Sequence, residues 1–290
     1  MNILITGSNG QLGNEIKQLA FNYNNWNFIY KDLPDLDITN KALLENLIKE
    51  ESIHAIVNCA AYTAVDPAES NQEIAYAVNV LGAKNLAKLS SLYKIKLIHI
   101  STDFVFDGKH YLPYKETDQP NPLSVYGSTK LEGEQEVLAE CSNSIIIRTA
   151  WLYSSFGANF VKTMQKLGAE RDQLNVIFDQ VGTPTFAGDL AQTILEILKQ
   201  LEAGSTKKGV YHYSNEGIAS WYDFAVEIMS LSNLKCRVYP IETFQYPTPA
   251  PRPSFSVLNK EKIKTDFGIE IPHWKSSLKK CIQILNEADK

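Results

Sequence analysis

Residues 2–13 of the 290-residue chain read NILITGSNGQLG, and this stretch decides the fold class. The run NILIT predicts a buried strand, and a helical pattern follows from Leu12 to about Phe21. The glycines between them have the spacing G-x-x-G-x-x-G. Gly7 permits a tight turn, Gly10 lets the backbone approach a pyrophosphate, and Gly13 lets the helix pack closely on the strand. The helix N-terminus would then offer unpaired N–H groups to phosphates, so the stretch predicts a dinucleotide site.

The same alternation of strand and helix continues as far as Thr149. The predicted strands are 2–6, 27–30, 54–58, 96–101 and 144–149, and the predicted helices are 12–21, 42–50, 73–92 and 125–140. Apolar strands that alternate with helices are typical of βαβ units around a parallel sheet. Right-handed crossovers place helices on both faces of such a sheet. The sequence therefore predicts an α/β fold with a Rossmann-type, doubly wound parallel sheet.

Beyond Trp151 the pattern becomes less regular, which predicts a second and smaller lobe. Its predicted helices are 159–168, 188–201, 260–266 and 275–287, its strands are 174–178 and 210–213, and proline-rich connectors cover 246–253 and 271–274. We expect residues 1–150 to form the NAD(P)-binding domain, rejoined by part of 174–213. Residues 151–290 should mainly form a substrate-binding lobe over the carboxyl edge of the sheet, where open α/β folds bind ligands.

Composition excludes several classes of protein. The chain is 44% hydrophobic and 21% charged with a net charge of −5, which is typical of a soluble globular protein and offers no basic surface for nucleic acid. No apolar run approaches the ~18 residues of a membrane span, and MNILITGSNG lacks the basic start of a signal peptide. The four cysteines form no C-x-x-C pair, and the five histidines have no metal-ligand spacing. We expect a cytoplasmic protein with reduced thiols, without nucleic-acid or membrane partners.

The remaining candidate cofactor residues follow the second and third strands. Asp32 stands where a carboxylate accepts bonds from ribose hydroxyls of NAD, but the neighbouring Lys31 could meet the 2′-phosphate of NADP. A solvated turn explains the pair equally well, so the choice between NADH and NADPH stays open. Asp37-Ile38 could flank the adenine ring, and Ala60-Ala61 leave room for a cofactor near the backbone. The predicted cofactor-binding residues are Gly7, Asn9, Gly10, Gln11, Leu12, Gly13, Asp32, Asp37, Ile38, Ala60, Ala61, Thr63, Tyr126 and Lys130.

A candidate catalytic set follows the fourth strand. Thr102 and Asp103 end that strand, and Tyr126 and Lys130 lie four residues apart, on one face of the next helix. Free tyrosine has a pKa near 10, too high for ready proton exchange at neutral pH. We expect the ammonium and the helix N-terminus to lower it, while Thr102 donates to the same carbonyl oxygen. Surface residues often show this Tyr–Lys spacing, so the hypothesis depends on the glycine turn and strand end that precede it.

These motifs together resemble the extended short-chain dehydrogenase/reductases, and within them the dTDP-4-dehydrorhamnose reductase family. The closer similarity covers nearly the whole chain. It depends on AAYTAVDPAE (60–69), YKETDQPNPLSVYGSTKLEGE (114–134), IIIRTAWLYSSFGANFVKTM (145–164), FDQVGTPT (178–185) and YPTPAPRPSFSVLN (246–259). The resemblance implies reduction of the C4 carbonyl of dTDP-4-dehydro-L-rhamnose by NADPH or NADH, the last step in making dTDP-L-rhamnose.

The resemblance also implies a role for each matching residue. Tyr126 would protonate the C4 alkoxide, Lys130 would hold the nicotinamide ribose, and Thr102 would orient the carbonyl with Asp103 beside it. The implied substrate contacts near the sugar are Thr63, Val65, Asp66, Thr102, Asp103 and Trp151, and those near the nucleotide are Asn159, Gln180 and Arg252. An arginine suits an anionic diphosphate and an indole suits a flat sugar face. The less favoured alternatives are a core aromatic for Trp151 and a solvated residue for Arg252.

Three alternatives remain at this point. Some members of the family form a dimer bridged by Mg²⁺ on glutamates, and Glu15 matches one such position, but this chain has only Asp189 near Gly188. A carboxylate in a first helical turn is also explained by the helix dipole, so we expect no metal and leave a homodimer open. An epimerase would use the same tyrosine and lysine but return the hydride to its substrate. A non-catalytic NADP-binding regulatory subunit could share the fold without turnover.

Overall fold

The structure is a computed structural model that describes residues 1–288. Twelve strands occur in this part of the chain: β1 (Asn2–Thr6), β2 (Asn27–Lys31), β3 (Ala55–Asn58), β4 (Lys96–Thr102), β5 (Ile145–Thr149), β6 (Leu152–Tyr153), β7 (Gln173–Ile177), β8 (Val181–Gly182), β9 (Thr185–Phe186), β10 (Gly209–His212), β11 (Ala219–Ser220) and β12 (Arg237–Ile241). Six of them form one sheet in the order β10-β5-β4-β3-β1-β2, and all its pairs are parallel. The other six form three two-stranded sheets.

Helices cover both faces of the six-stranded sheet. The α-helices of the described chain are α1 (Gln11–Leu19), α2 (Lys41–Glu50), α3 (Val65–Ala68), α4 (Gln72–Tyr76), α5 (Ala83–Tyr93), α6 (Val125–Glu140), α7 (Phe160–Glu170), α8 (Ala187–Glu202), α9 (Trp221–Leu231), α10 (Glu261–Phe267) and α11 (Trp274–Ala288). Ile3 and Ile5 pack on one face with α1, α8 and α10, and Leu4 packs on the other with α2, α5 and α6. Because successive side chains of a strand point to opposite faces, β1 is buried on both sides. The predicted doubly wound α/β sheet is confirmed.

The strand order places a crevice between β1 and β3. The chain leaves β1 for β2 on one side and later returns to β3 on the other, and ligands bind at such a switch point. The backbones come very close there: a Cβ on Gly7 would lie 2.6 Å from the Ala60 nitrogen, and the φ angle of Gly7 is +62°. Only glycine fits this turn without strain.

The predicted helix 73–92 is three segments rather than one. α4 is followed by a π-helical turn, Ala77–Gly82, and then by α5. The extra residue of a π turn changes which side chains point inward, and here it buries Asn79. Asn79 donates to the Tyr62 carbonyl and to Thr129 on α6, which ties the loop after β3 to that helix.

The second half of the chain contains elements that were not predicted. The predicted strand 174–178 corresponds to β7, which pairs with β12 in a separate two-stranded sheet, whereas β10 joins the six-stranded sheet beside β5. The unpredicted elements are α9, β12 and the two-residue strands β6, β8, β9 and β11. The core of this half packs Tyr153, Phe224 and Trp274 together. We keep the two-domain division at about residue 150 as a proposal. Residues 289 and 290, which end the predicted second lobe, lie outside the described chain. Within residues 1–288 no helix is both long and apolar enough to cross a membrane.

Candidate active site

A cleft of about 780 Å³ follows the carboxyl edge of the sheet past the glycine turn. Most residues predicted to bind the cofactor line it: Gly7, Gly10, Gln11, Leu12, Asp32, Asp37, Ile38, Ala60, Ala61, Thr63, Tyr126 and Lys130. Two do not line it. Gly13 lets α1 pack on the turn, since a Cβ there would lie 2.5 Å from the Ser8 Cα, and the backbone N–H of Asn9 donates to Asp32.

Asp32 connects the glycine turn to the end of β2. Its Oδ2 accepts from the backbone N–H of Asn9 at 2.8 Å, and its Oδ1 accepts from that of Leu33 at 2.8 Å. Each carboxylate oxygen can accept a second bond, so contact with a ribose hydroxyl remains open to it. This double use of Asp32 was not apparent from the sequence.

Two local features bring the catalytic candidates together. Thr102 is the last residue of β4, and α6 begins just after Ser124, whose side chain caps the helix by accepting from the Gly127 N–H at 3.1 Å. Gly127 lets the helix end pack tightly, because a Cβ there would lie 2.3 Å from the Phe104 carbonyl oxygen. Tyr126 therefore lies against Phe104, with ring centroids 5.4 Å apart, and its hydroxyl is close enough to Thr102 for that hydroxyl to affect its pKa.

The charges of this set differ from the sequence-based expectation in one respect. We expected neighbouring groups to lower the pKa of Tyr126, but burial raises it to about 12. The nearby Thr102 hydroxyl opposes this rise, and the charge of Asp103 adds to it. Burial lowers the pKa of Lys130 to about 8, against the opposing charge of Glu134. A phenol with a raised pKa is protonated at neutral pH, so Tyr126 is poised to donate a proton rather than accept one.

Lys130 is held firmly in place. Its side chain is buried, and Nζ donates to the Ile100 carbonyl oxygen at 2.7 Å, which anchors the ammonium against β4. Two further protons of the ammonium remain for other acceptors in the cleft. The position is consistent with the predicted contact to a nicotinamide ribose.

A second cleft, of about 910 Å³, lies in the C-terminal half. It is lined by residues of α7, β7 and α9 and by the segment 245–256, and it includes Asp66 and Gln180. The two clefts share Phe104, Trp151, Trp221 and Arg252, so they meet beside the catalytic candidates. A ligand with two ends could therefore reach from the second cleft to Tyr126.

Arg252 forms a two-point ion pair with Asp66 where the clefts meet. Nη1 donates to Asp66 Oδ1 at 3.0 Å and Nη2 to Oδ2 at 2.7 Å, and Nη1 also donates to the Ala250 carbonyl oxygen. The guanidinium lowers the pKa of Asp66. A guanidinium with its plane fixed this way suits recognition of a phosphate, which supports the prediction for Arg252. Asp66 and Val65 begin α3 beside it, and Val65 lines the first cleft.

Trp151 stacks on a residue that the sequence did not single out. Its ring lies 3.6 Å from that of Trp221 with an interplanar angle of 8°, and its backbone φ is +47°, which is strained for a tryptophan. One indole face is thus covered, and sugar packing on Trp151 stays a prediction. Trp221 opens α9 behind a capping box between Ser220 and Asp223, and this S-x-x-D pattern was a signal that could have revealed the helix.

The two remaining nucleotide-side candidates differ in position. Gln180 is buried in the second cleft, where its Nε2 donates to the Thr243 hydroxyl at 3.1 Å. Asn159 lines the first cleft instead, and its side chain is occupied by capping α7 through Lys162 N–H and by donating to Ser154 O at 2.7 Å. Its part in substrate binding therefore stays a prediction without a free side-chain donor to support it.

The carboxylates considered for a metal lie apart from the clefts. Glu15 is 6% exposed and accepts from Ser154 at 2.6 Å, and burial raises its pKa. Asp189 accepts from Asn215 and Ser277. Within residues 1–288, His, Cys, Asp and Glu side chains form no group of three that could hold a metal ion.

A buried ion pair beneath α6 was also missed by sequence reasoning. Arg148 of β5 donates to Glu134 of α6 through Nε at 2.9 Å and Nη2 at 2.6 Å, and both side chains are under 5% exposed. Glu134 follows Lys130 by one helical turn, so the pair fixes the helix that carries both catalytic candidates. Charged residues inside a strand and a helix give no sequence signal that they face each other.

Comparison with known proteins places these features in context. The RmlD substrate binding domain family model matches residues 1–287. A dTDP-4-dehydrorhamnose reductase of Aggregatibacter actinomycetemcomitans is 42% identical over 285 residues, which cover 96% of this chain and 97% of the relative. The crystal structure of such a reductase from Clostridium acetobutylicum superposes with a TM-score of 0.94 at 44% identity, over 99% and 100% of the two chains. That from Bacillus anthracis, in complex with NADP, superposes with a TM-score of 0.91 at 38% identity, over 98% and 99%.

Proposed function

The chain belongs to the RmlD substrate binding domain family, and we propose that it reduces the C4 carbonyl of dTDP-4-dehydro-L-rhamnose to give dTDP-L-rhamnose. It is an NAD(P)H-dependent oxidoreductase of the dTDP-rhamnose pathway. The resemblance inferred from its motifs is confirmed by the full-length relatives.

One observation carries the proposal: Thr102, Tyr126 and Lys130 lie where the two clefts meet. The first cleft has the glycine turn and the switch-point position of a dinucleotide site. The second contains Arg252 at its junction with the first, and it is large enough for a nucleoside diphosphate sugar. A sugar bound through its diphosphate to Arg252 would therefore bring its ring to Tyr126, beside the nicotinamide.

NAD(P)H held in the first cleft would supply the hydride. Tyr126 donates its proton to the oxygen at C4, since burial keeps the phenol protonated until an alkoxide develops beside it. Lys130, anchored on the Ile100 carbonyl, places a positive charge near the phenolate that remains. Thr102 at the end of β4 orients the carbonyl, and Arg252 holds the diphosphate.

We propose the same residue assignments for the rest of the site. The glycine turn and Asp32 hold the adenosine half of the cofactor, and Asp37-Ile38 and Ala60-Ala61 line its path. Gln180 belongs to the nucleotide side, and Val65, Asp66 and Trp151 to the sugar side. A cytoplasmic sugar-nucleotide enzyme without nucleic-acid partners fits the acidic composition.

A coupled assay tests the proposal. dTDP-4-dehydro-L-rhamnose is formed enzymatically from dTDP-glucose and purified, and oxidation of NADPH and NADH is then followed separately by absorbance. We expect substrate-dependent oxidation with dTDP-L-rhamnose as product. Tyr126→Phe should lower kcat by about 10²–10⁴-fold, the usual contribution of a positioned acid, and leave the Kd for NADPH within about twofold. Absence of oxidation by a folded protein that binds NADPH would move the assignment to a regulatory subunit.

A further inference from the structure

The hydroxyl of Thr102 has one hydrogen, and two acceptors compete for it: the carboxylate of Asp103 and the C4 carbonyl of the proposed substrate. In the structure this hydrogen goes to Asp103, because Oγ1 of Thr102 donates to Asp103 Oδ1 at 3.0 Å while it accepts from the Phe104 N–H at 3.2 Å. In the proposed reaction the same hydroxyl donates to the carbonyl oxygen at C4. A hydroxyl is a single donor, so an ionised Asp103 and the substrate carbonyl cannot both be served.

Apart from Thr102, Asp103 has few of the partners that normally stabilise a buried carboxylate. It is 2% exposed, it forms no ion pair within the described chain, and its Oδ2 has no hydrogen-bond partner there. The Ser256 hydroxyl from the C-terminal segment lies near enough to lower its pKa, but burial dominates and raises that pKa to about 6. A carboxyl in this position takes up a proton close to physiological pH.

The charged groups on the elements next to Asp103 in the fold have partners of their own. They are Lys130 on α6, Asp66 and Glu69 at α3, Asp107 in the following loop and Arg252 in the C-terminal segment. Lys130 donates to the Ile100 carbonyl, Arg252 and Asp66 pair with each other, and Glu69 accepts from the Val125 N–H at 2.9 Å. Asp107 accepts from the Lys109 N–H at 3.0 Å. The neutral phenol of Tyr126 does respond to Asp103, whose charge raises its pKa.

We propose that Asp103 is a positioning residue whose protonation sets the direction of the Thr102 hydrogen bond. Protonated Asp103 donates to Thr102 Oγ1, and this frees the hydroxyl hydrogen of Thr102 for the carbonyl oxygen of the substrate. Ionised Asp103 takes that hydrogen and leaves the carbonyl without its second donor. The inference deepens the proposed function and depends on it.

The proposal fixes the sign of the pH dependence. The active form for reduction is the protonated one, so kcat is highest below the pKa of Asp103 and falls as the pH rises through about 6. Well above that value the protonated fraction, and with it kcat, drops about tenfold per pH unit. The drop ends when the loss reaches about 10²–10³-fold, the usual effect of removing one donor to a developing oxyanion. Deprotonation of Lys130, at about 8, adds a separate step at higher pH.

Two variants test this with purified dTDP-4-dehydro-L-rhamnose and saturating NADPH between pH 5 and 8. Asp103→Ala has no atom that could accept the Thr102 hydrogen, and Asp103→Asn cannot change its protonation. We expect both to lose the step in kcat near pH 6. Because Thr102 is always free in Asp103→Ala, its kcat at pH 7.5 should exceed that of the wild type by roughly thirtyfold, since only about one thirtieth of wild-type Asp103 is protonated at that pH. Asp107 is a carboxylate on the same loop with its own hydrogen-bond partners, so the control variant Asp107→Asn should keep the wild-type pH profile of kcat.

The outcomes separate the inference from the proposed function. A wild-type protein without reductase activity at any pH refutes the proposed function. Activity with an unchanged step near pH 6 in the Asp103 variants refutes the inference alone, as does loss of turnover in folded Asp103→Ala at every pH. Thr102→Val provides a second test that does not alter Asp103. It should lower kcat at pH 5 by about 10²-fold and abolish the step. A retained step in Thr102→Val would show that Asp103 does not act through Thr102.

Discussion

Replacing Asp103 by asparagine should stabilise the protein at neutral and alkaline pH but not in acid. Folding raises the pKa of this carboxyl from the ordinary 3.8 to about 6, chiefly through burial. The folded state therefore binds the proton more tightly than the unfolded state, and stability falls as the pH rises from about 4 to about 6. Each pKa unit corresponds to about 1.4 kcal/mol, so the ionised carboxylate costs the folded state about 3 kcal/mol above pH 6. Asparagine has nearly the same shape and carries no charge.

Urea unfolding of wild type and Asp103→Asn, followed by tryptophan fluorescence at pH 4 and pH 8, measures this difference. We expect similar midpoints at pH 4 and a higher midpoint for the variant at pH 8, by the equivalent of about 3 kcal/mol. Asp107→Asn is the matched control with the opposite sign. The hydrogen bond from the Lys109 N–H lowers the pKa of Asp107, so replacing this carboxylate by an amide should destabilise the protein at pH 8. If the unfolding midpoints of Asp103→Asn and wild type differ equally at both pH values, ionisation of Asp103 does not destabilise the folded state.

Three further substitutions test other contacts of the site. Gly133→Ala should destabilise the protein by about 1–3 kcal/mol and lower kcat, because its Cβ would lie 2.1 Å from the backbone oxygen of Asn79 and shift α6. Gly168→Ala is the control in thermal unfolding, because its Cβ would meet the side chains of Met229 and Leu234 and no backbone atom among its nearest neighbours. Equal losses in the two variants would contradict the role of the α6 contact. Arg252→Lys should weaken dTDP binding, measured by calorimetry, by about tenfold and leave NADPH binding unchanged. A lysine cannot form the two-point contact with Asp66 that fixes the plane of the guanidinium. The reverse pattern would place Arg252 on the cofactor. Glu134→Gln should lower the free energy of unfolding, measured in urea, by about 3–5 kcal/mol, because the buried charge of Arg148 would lose its partner. A loss below about 1 kcal/mol would mean that other groups stabilise the charge of Arg148.

The sequence predicted the six-stranded sheet because its strands carry strong local signals. β1, β3 and β5 are apolar on both faces, and each is followed or preceded by a clear helical pattern. β12 could not be predicted in the same way, since it is largely exposed and contains Pro240. The π-helical turn at Ala77–Gly82 has no sequence signature of its own, because the tertiary contacts of Asn79 with Tyr62 and Thr129 hold it in place.

The candidate site shows the same division. Motifs placed the glycine turn, Thr102, Tyr126 and Lys130 together, since each follows a strand of one sheet at its carboxyl edge. The partners of these residues come from distant parts of the chain. The stacking of Trp151 on Trp221 and the ion pair of Arg252 with Asp66 each join segments that only the folded structure brings together.

The prediction from sequence that the pKa of Tyr126 is lowered was wrong for a related reason. The spacing to Lys130 shows a cation one helical turn away, but it does not show that the phenol is buried or that the ammonium is directed to the Ile100 carbonyl. Burial outweighs the cation in this geometry. A raised pKa of Tyr126 suits a reductase, which needs a proton donor rather than a base.

Isotope transfer tests the central claim most directly. With NADPH deuterated at the transferable position of C4, the reaction with dTDP-4-dehydro-L-rhamnose should consume one NADPH per product. The product should be dTDP-L-rhamnose with deuterium at C4 of the sugar, visible by mass and by loss of the C4 proton signal. An epimerase would release unlabelled sugar and leave the reduced cofactor unspent. A folded, NADPH-binding protein that gives unlabelled product, or no product, would contradict direct hydride transfer in this site.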